Sequence, residues 1–332
     1  MQDSISAHQV GGILSLTKFI LKTTALIELL GAILLYPVFF KDVGPVKGIW
    51  YALFHSISAF CNAGFDLMGI NEPFSSLTSY GGNIYFNVVI MCLIITGGIG
   101  FLTWDDIVQH RHHIKKYRLQ TKIVLVTTGI LIILPAIFFA FCEYTDESLK
   151  ERILHSLFQS VTARTAGFNT ADFSIMKESS AILMTVLMLI GGCSGSTAGG
   201  MKTSTLAVLF LAALSVFRRK NDVECFKRRI PMDIVRTAGA ILFMYLALFL
   251  PSGIAISQIE SFPLINCLFE TGSALGTAGL TIGITTSLSL PSHIILMVLM
   301  FAGRVGGLTI IYAAFASTNE ISRLPQEKIT VG

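Results

Sequence analysis

The chemistry this chain offers comes mainly from its backbone. Three four-residue runs, Asn62-Ala63-Gly64-Phe65, Thr165-Ala166-Gly167-Phe168 and Thr277-Ala278-Gly279-Leu280, share the form [Asn/Thr]-Ala-Gly-[Phe/Leu] and lie 103 and 112 positions apart. Glycine reaches dihedral angles closed to other residues, so carbonyl oxygens around it can come close together. Clustered carbonyls replace the hydration shell of a monovalent cation. The runs hold no carboxylate, which disfavours a divalent-selective acidic ring; Asp66 lies just outside one of them. A single glycine of this kind means ordinary helix packing. Three copies at matched positions form an internal repeat and point to a cation path.

Such runs need elements that hold them at depth. Each follows a half-length apolar segment, ending near Cys61, Ala163 and Leu275, that is too short to cross a bilayer. Non-helical backbone survives inside a membrane only when buried in protein or lining a wet cavity. The half-helices precede the runs, so their carboxyl ends face the centre. That end carries about half a negative charge and favours a cation, whereas an anion site would want amino ends.

Composition agrees. The 332 residues are 53% hydrophobic and 13% charged, with mean hydropathy +0.70. Soluble domains carry about a quarter charged residues. Six stretches are long and apolar enough to span: 16–39, 83–104, 121–142, 180–217, 234–257 and 292–316. The fourth is oversized and interrupted by glycine. The first dozen residues are polar and do not read as a cleavable signal. The six cysteines are scattered without CxxC spacing, so neither a disulfide framework nor a zinc site is indicated. Basic residues concentrate in 105–122 (Arg111, Lys115, Lys116, Arg118, Lys122) and 217–236 (Arg218, Arg219, Lys220, Lys227, Arg228, Arg229, Arg236). The positive-inside rule puts these loops and both termini in the cytoplasm of a multi-pass protein of the cell membrane. Glu28, inside the first span, reads as a packed, hydrogen-bonded carboxylate between helices.

These residues carry a family resemblance. The order outer helix, re-entrant loop with one glycine, inner helix resembles the Ktr/Trk/HKT superfamily of potassium transporters, closest to the Ktr membrane subunit. Residues 54–65 (FHSISAFCNAGF) are similar to its second pore loop, 159–169 (QSVTARTAGFN) to its third, and 276–280 (GTAGL) with 301–308 (FAGRVGGL) to its fourth. The resemblance implies an all-α integral membrane fold of three tandem outer helix–re-entrant pore loop–inner helix repeats, with six spanning helices and three half-helices. The repeats would occupy 1–110, 111–220 and 221–332. The family pattern has four, so the unit before the first is expected to be missing here and the chain to be non-selective alone. The resemblance also implies potassium as the ion, a homodimer in membrane lipid, and a cytoplasmic ring of nucleotide-binding regulatory subunits. Nucleotide would bind that partner and not this chain, and no nucleic acid is implied.

Five glycines among Ser and Thr cannot hold a helix together, at about 1 kcal/mol each. The broken stretch Gly191-Gly192-Cys193-Ser194-Gly195-Ser196-Thr197-Ala198-Gly199-Gly200-Met201-Lys202 resembles the family's intramembrane gating loop. The resemblance places Arg304 beside it as a cationic barrier held by loop carbonyls, with Lys202 nearer the cytoplasm. Two enzyme readings compete. The stretch from Gly195 to Thr203 is a near miss for a phosphate-binding loop, but Met201 separates its last glycine from Lys202. Gly192-Cys193-Ser194-Gly195 matches an intramembrane serine protease motif, but a nucleophile needs a base within reach, and His293, the histidine of a later span, lies at its outer start while Ser194 lies past mid-depth.

Overall fold

The computed structural model describes residues 10–70, 74–306 and 309. The expected polar lead-in at its start, and most of the 292–316 span beyond 306, lie outside the described residues. The first helix, α1 (Val10–Val43), is apolar almost throughout. Gly44 at φ 83° ends it, and Pro45 opens α2 (Pro45–Phe60), where proline's missing N–H has no helical partner to lose. Asn83 caps α3 (Ile84–Ile99) by accepting from the Phe86 N–H at 3.1 Å. Then follow α4 (Phe101–His110) and α5 (Leu119–Cys142). Ser148 caps α6 (Leu149–Thr162) by accepting the Glu151 N–H at 3.4 Å, and its hydroxyl donates to the Glu151 carboxylate at 2.8 Å. Helices α7 (Glu178–Leu189) and α8 (Thr203–Phe217) flank an irregular loop. After a short hairpin come α9 (Met232–Glu260), α10 (Leu264–Gly276) and α11 (Leu290–Val305).

The distribution of polarity is that of a membrane protein. Leu26, Leu30 and Ile33 of α1, Ile130, Ile133 and Ile137 of α5, and Phe243, Leu246 and Leu250 of α9 all face outward. Asn87, Gln159, Ser160, Thr165 and Thr271 are fully buried. Among the described residues three helices are each long and apolar enough to cross a bilayer: Leu14–Val43, Leu119–Cys142 and Met232–Glu260. Against each packs one short helix, α2 on α1, α6 on α5 and α10 on α9. The first pair is locked by Phe39, which stacks on His55 at 4.9 Å and meets Tyr51, Tyr80 and Phe86 edge-on.

One expected span is bent, and the fourth is broken. The stretch 83–104 bends by 94° between Ile99 and Phe101, because Gly100 adopts φ 98° and ψ 141°, a conformation open to glycine. Gly306 ends α11 with nearly the same angles, φ 88° and ψ 142°. The 180–217 stretch divides, at the glycine-rich interruption its sequence contains, into helices of 12 and 15 residues. The fold is also not wholly helical. Val223–Cys225 pairs antiparallel with Arg228–Ile230, and Phe226 and Lys227 both have positive φ, as a two-residue hairpin turn requires. Val223 and Ile230 face each other and bury against α8 and its neighbours, leaving the arginines outside.

The glycines of α3 and α11 permit the closest helix contacts. A Cβ on Gly97 would lie 1.8 Å from the Phe60 carbonyl oxygen, and one on Gly303 would lie 1.9 Å from that of Leu275. Gly129, inside α5, has nothing within 4 Å of a built Cβ. Gly97→Ala should therefore lower the unfolding midpoint of the detergent-purified protein, at the overpacking cost of about 1–3 kcal/mol. Gly129→Ala should hold or raise it, by up to about 1 kcal/mol of helix propensity. Equal midpoints for the two variants would contradict the packing described.

Candidate functional site

The site is built where α2, α6 and α10 end. The three helices hold 16, 14 and 13 residues, about 20–24 Å at 1.5 Å per residue against a hydrocarbon core of about 30 Å. The run after each has the same backbone. Its first residue is left-handed (Asn62 φ 51°, Thr165 φ 69°, Thr277 φ 54°), and so is its glycine (Gly64 φ 71°, Gly167 φ 86°, Gly279 φ 80°). In a regular strand successive residues point to opposite faces. A left-handed residue at every other position departs from that alternation and lets neighbouring carbonyls face one side. The alanine N–H of each run caps its helix, bonding Ser58, Thr162 and Ser273 carbonyls at 2.9, 3.0 and 2.8 Å. The Ser58 hydroxyl donates to the Phe65 carbonyl at 2.7 Å and that of Thr162 to the Phe168 carbonyl at 2.5 Å.

The structure brings these runs side by side. A Cβ on Gly64 would lie 2.6 Å from the Ala166 oxygen and 2.7 Å from the Gly167 Cα, and one on Gly167 would lie 2.7 Å from the Ala278 oxygen. The order across the site is thus 62–65, 165–168, 277–280. The middle run is buried at every residue, whereas Ala63, Phe65 and Gly279 in the outer two are exposed.

Above the runs, buried side chains pin the chain that leaves them. His55 donates Nδ1–H to the Tyr51 carbonyl at 2.7 Å, so its Nε2 is free to accept the Leu67 N–H at 3.4 Å. Glu270, 12 residues before Ile282 as His55 is 12 before Leu67, accepts that residue's N–H at 3.3 Å. Its two oxygens also take the hydroxyls of Thr281 and Thr285 at 2.5 and 2.7 Å. Between the first two runs, the Asn169 N–H donates to Ser76 Oγ at 3.2 Å and the Leu77 N–H to the Asn169 oxygen at 3.0 Å.

Below the runs lies the loop between α7 and α8. Its carbonyls and N–H groups bond neighbouring backbone: Cys193 N to Gly98 O at 2.9 Å, Phe101 N to Gly195 O at 2.9 Å, Thr203 N to Gly192 O at 3.0 Å. Ile190 and Met201 bridge in parallel where it enters and leaves. Thr197 is its contact point. The Thr197 hydroxyl donates to the Phe60 carbonyl at 3.0 Å, and its carbonyl accepts Arg304 Nη1 at 3.0 Å. Lys202 turns back to the Ala198 carbonyl at 2.8 Å and that of Gly199 at 3.4 Å. Gly199 lies against Thr277, and Gly191 against Gly199 and Gly200. Gly192 packs on Ala198 and Ser196, whose hydroxyl accepts the Ala198 N–H at 3.3 Å.

Ser194 is not set up as a nucleophile. Its hydroxyl pairs with that of Ser204 at 2.9 Å, while His293 at the outer start of α11 bonds the Thr285 carbonyl. Among the described residues no cluster of three His, Cys, Asp or Glu could hold a metal ion. Sequence reasoning passed over three residues. His55 and Glu270 were legible as ionisable groups in half-helices. Arg164, inside the second repeat where the others carry Cys61 and Gly276, was legible as a charge next to a run.

Comparison with known proteins adds the following. The model of the TrkH family, "cation transport protein", matches residues 2–324. The potassium/sodium uptake protein NtpJ of Enterococcus hirae is 37% identical, over all of this chain and 75% of its own length. The Ktr system potassium uptake protein B of Bacillus subtilis is 35% identical, over all of this chain and 75% of its own length. The structure of the potassium transporter TrkH from Vibrio parahaemolyticus shares the fold, with TM-score 0.73 at 18% identity over 94% of this chain and 67% of that one.

Glu270 gives a direct test of how the third run is held. Glu270→Ala leaves an N–H and two hydroxyls without their acceptor, at about 1–3 kcal/mol for a buried unsatisfied group. Its unfolding midpoint should drop, while Glu270→Gln, which keeps one acceptor oxygen, should fall between it and the parent. A Gln variant as damaged as Ala would show that the hydrogen bonds are not what matters.

Proposed function

The chain belongs to the TrkH family of cation transport proteins, and from that premise we propose that it carries potassium across the membrane between the carbonyl-lined runs 62–65, 165–168 and 277–280. The family transports ions and is not one of enzymes, so the protease reading of Ser194 is set aside. One observation carries the proposal: three glycine-centred runs of the same handedness, each at the carboxyl end of a short helix, lie against one another. Carbonyl dipoles and the helix ends, each about half a negative charge, favour a monovalent cation there.

In this reading α2, α6 and α10 are the half-helices of re-entrant pore loops in three tandem units, 1–110, 111–220 and 221–332. The exposed edges of the first and third runs are where a fourth such wall completes the carbonyl ring, and selective transport needs it. Gly191, Gly192, Ser194, Gly195, Ser196, Thr197, Gly199 and Gly200 form a gate beneath the ring. Arg304, held by the Thr197 carbonyl, sets a positive charge in the ion's way, and Lys202 lies behind it. Both termini and the basic loops face the cytoplasm. The protein is a homodimer in lipid, and the loops around α4 and the Val223–Ile230 hairpin meet a separate regulatory ring that binds nucleotide. The printed name "Ktr system" of two Bacillus subtilis relatives fits an assembly of more than one component.

The test uses a bacterium lacking potassium uptake and expresses the chain with its natural genomic surroundings. Growth at low external potassium should be restored. Gly167→Ala should keep the protein in the membrane yet lose preference for potassium over sodium by about tenfold. Left-handed strain alone costs about 1–2 kcal/mol, and 1.4 kcal/mol is about a factor of ten. Arg304→Ala should raise the maximal uptake rate. Unaltered ion preference in Gly167→Ala would sink the filter assignment. No uptake by the parent would sink the transport reading itself.

A further inference from the structure

Arg164 adjoins the second run and reaches the loop beneath it. It immediately precedes Thr165, and its residue is only 6% exposed. Among the described residues no carboxylate lies within ion-pair distance of it. One arm reaches the loop: Nη2 meets Thr128 Oγ1 at 3.5 Å and Cys193 Sγ at 4.0 Å. Cys193 is in turn fixed by the Thr203 hydroxyl at 3.1 Å. The buried Nε–H has no protein partner. A guanidinium is a fork of five donors with no acceptor, and a buried charge left without hydrogen bonds is costly.

Beside Arg164 is a void of about 10 Å³, lined also by Asn62, Ile94, Ile95, Gly98 and Val161. That is about the room one water needs. The Asn62 amide decides what fits. Its hydrogen bonds are satisfied only with Nδ2 turned to the carbonyls of Ala59, at 3.1 Å, and Ile94, at 3.3 Å. Its Oδ1 then points to the Gly98 side, where the void lies. The guest must accept from Arg164 and donate to Asn62. A water does both, whereas an anion would meet a carbonyl oxygen.

We propose that a single water in this void bridges Arg164 to Asn62. Through it Arg164 becomes a positioning residue that ties the first and second carbonyl runs to the loop at Cys193. The proposal rests on the reading of the runs as an ion filter, and its first test does not depend on transport. A high-resolution experimental map of the protein with its native partners should show one water within hydrogen-bond distance of Arg164 Nε and Asn62 Oδ1. The same map from protein in bromide should show no anomalous signal there. A bromide peak, or a protein group filling the void, overturns the proposal.

The second test is a cycle of Arg164→Gln, Asn62→Ala and the double variant. Each single change should reduce the potassium-to-sodium uptake ratio by about threefold or more, and the double should be no worse than the worse single. Arg164→Lys, which keeps the charge without the Nε–H, should not restore the ratio. Additive losses, or full rescue by lysine, overturn the proposal. A parent with no potassium preference would instead refute the filter reading.

Discussion

The structure depends on one constraint, that the carboxyl ends of α2, α6 and α10 are buried inside the protein. The last carbonyls of a helix have no partner within it, and lipid supplies none. The protein meets the need with glycine. Gly97 of α3 approaches the Phe60 carbonyl, Gly303 of α11 approaches that of Leu275, and Gly276 at the end of α10 lies on the carbonyl of Met188. A side chain at any of these positions would push the elements apart. The Thr197 hydroxyl then reaches the Phe60 carbonyl at the end of α2, and those of Ser58 and Thr162 reach the Phe65 and Phe168 carbonyls of the runs.

The same constraint explains the break in the stretch 180–217. A continuous helix there would keep its backbone bonds to itself. The loop between α7 and α8 instead presents carbonyls and N–H groups to Gly98, Phe101 and Arg304. The loop therefore does for α3 and α11 what a regular helix could not. It also explains why charge appears so deep in an apolar chain: Arg304 and Lys202 each find loop carbonyls rather than carboxylates. Both side chains thus find hydrogen-bond acceptors without a counter-charge.

Much of this was legible in the sequence where glycine did something that only glycine can. The runs at 62–65, 165–168 and 277–280 stood out because the same tetrapeptide with its glycine recurs three to five residues past the end of a short helix, and the structure lays them together. The bend at Gly100 was not legible. In an apolar stretch a glycine reads equally well as helix packing, and only the 94° turn distinguishes the two. The hairpin at Val223–Ile230 was hidden for a different reason. Its pairing depends on burying Val223 and Ile230 under neighbouring helices, a tertiary contact that overrides a basic, loop-like composition. Glu270 and His55 lie far in sequence from each other. Only the shared 12-residue reach to the leaving chain shows that they do the same work with different chemistry.

Different chemistry at equivalent positions is also what separates the three runs. Arg164 stands where the other repeats have Cys61 and Gly276. The buried middle run can carry a guanidinium because neighbouring runs flank it on both sides and its own helix end partly offsets the charge. Cys61, beside Glu28 at 3.7 Å, lies at the first run, whose Ala63 and Phe65 are exposed. Gly276 must be glycine because Met188 leaves no space. The three sites thus share a backbone and differ in what surrounds it. An ion between them would meet similar carbonyls set in three different electrostatic environments. Under the reading proposed above, the second run, buried at every residue and flanked by the bonded Asn169 and Arg164, is the most firmly supported of the three.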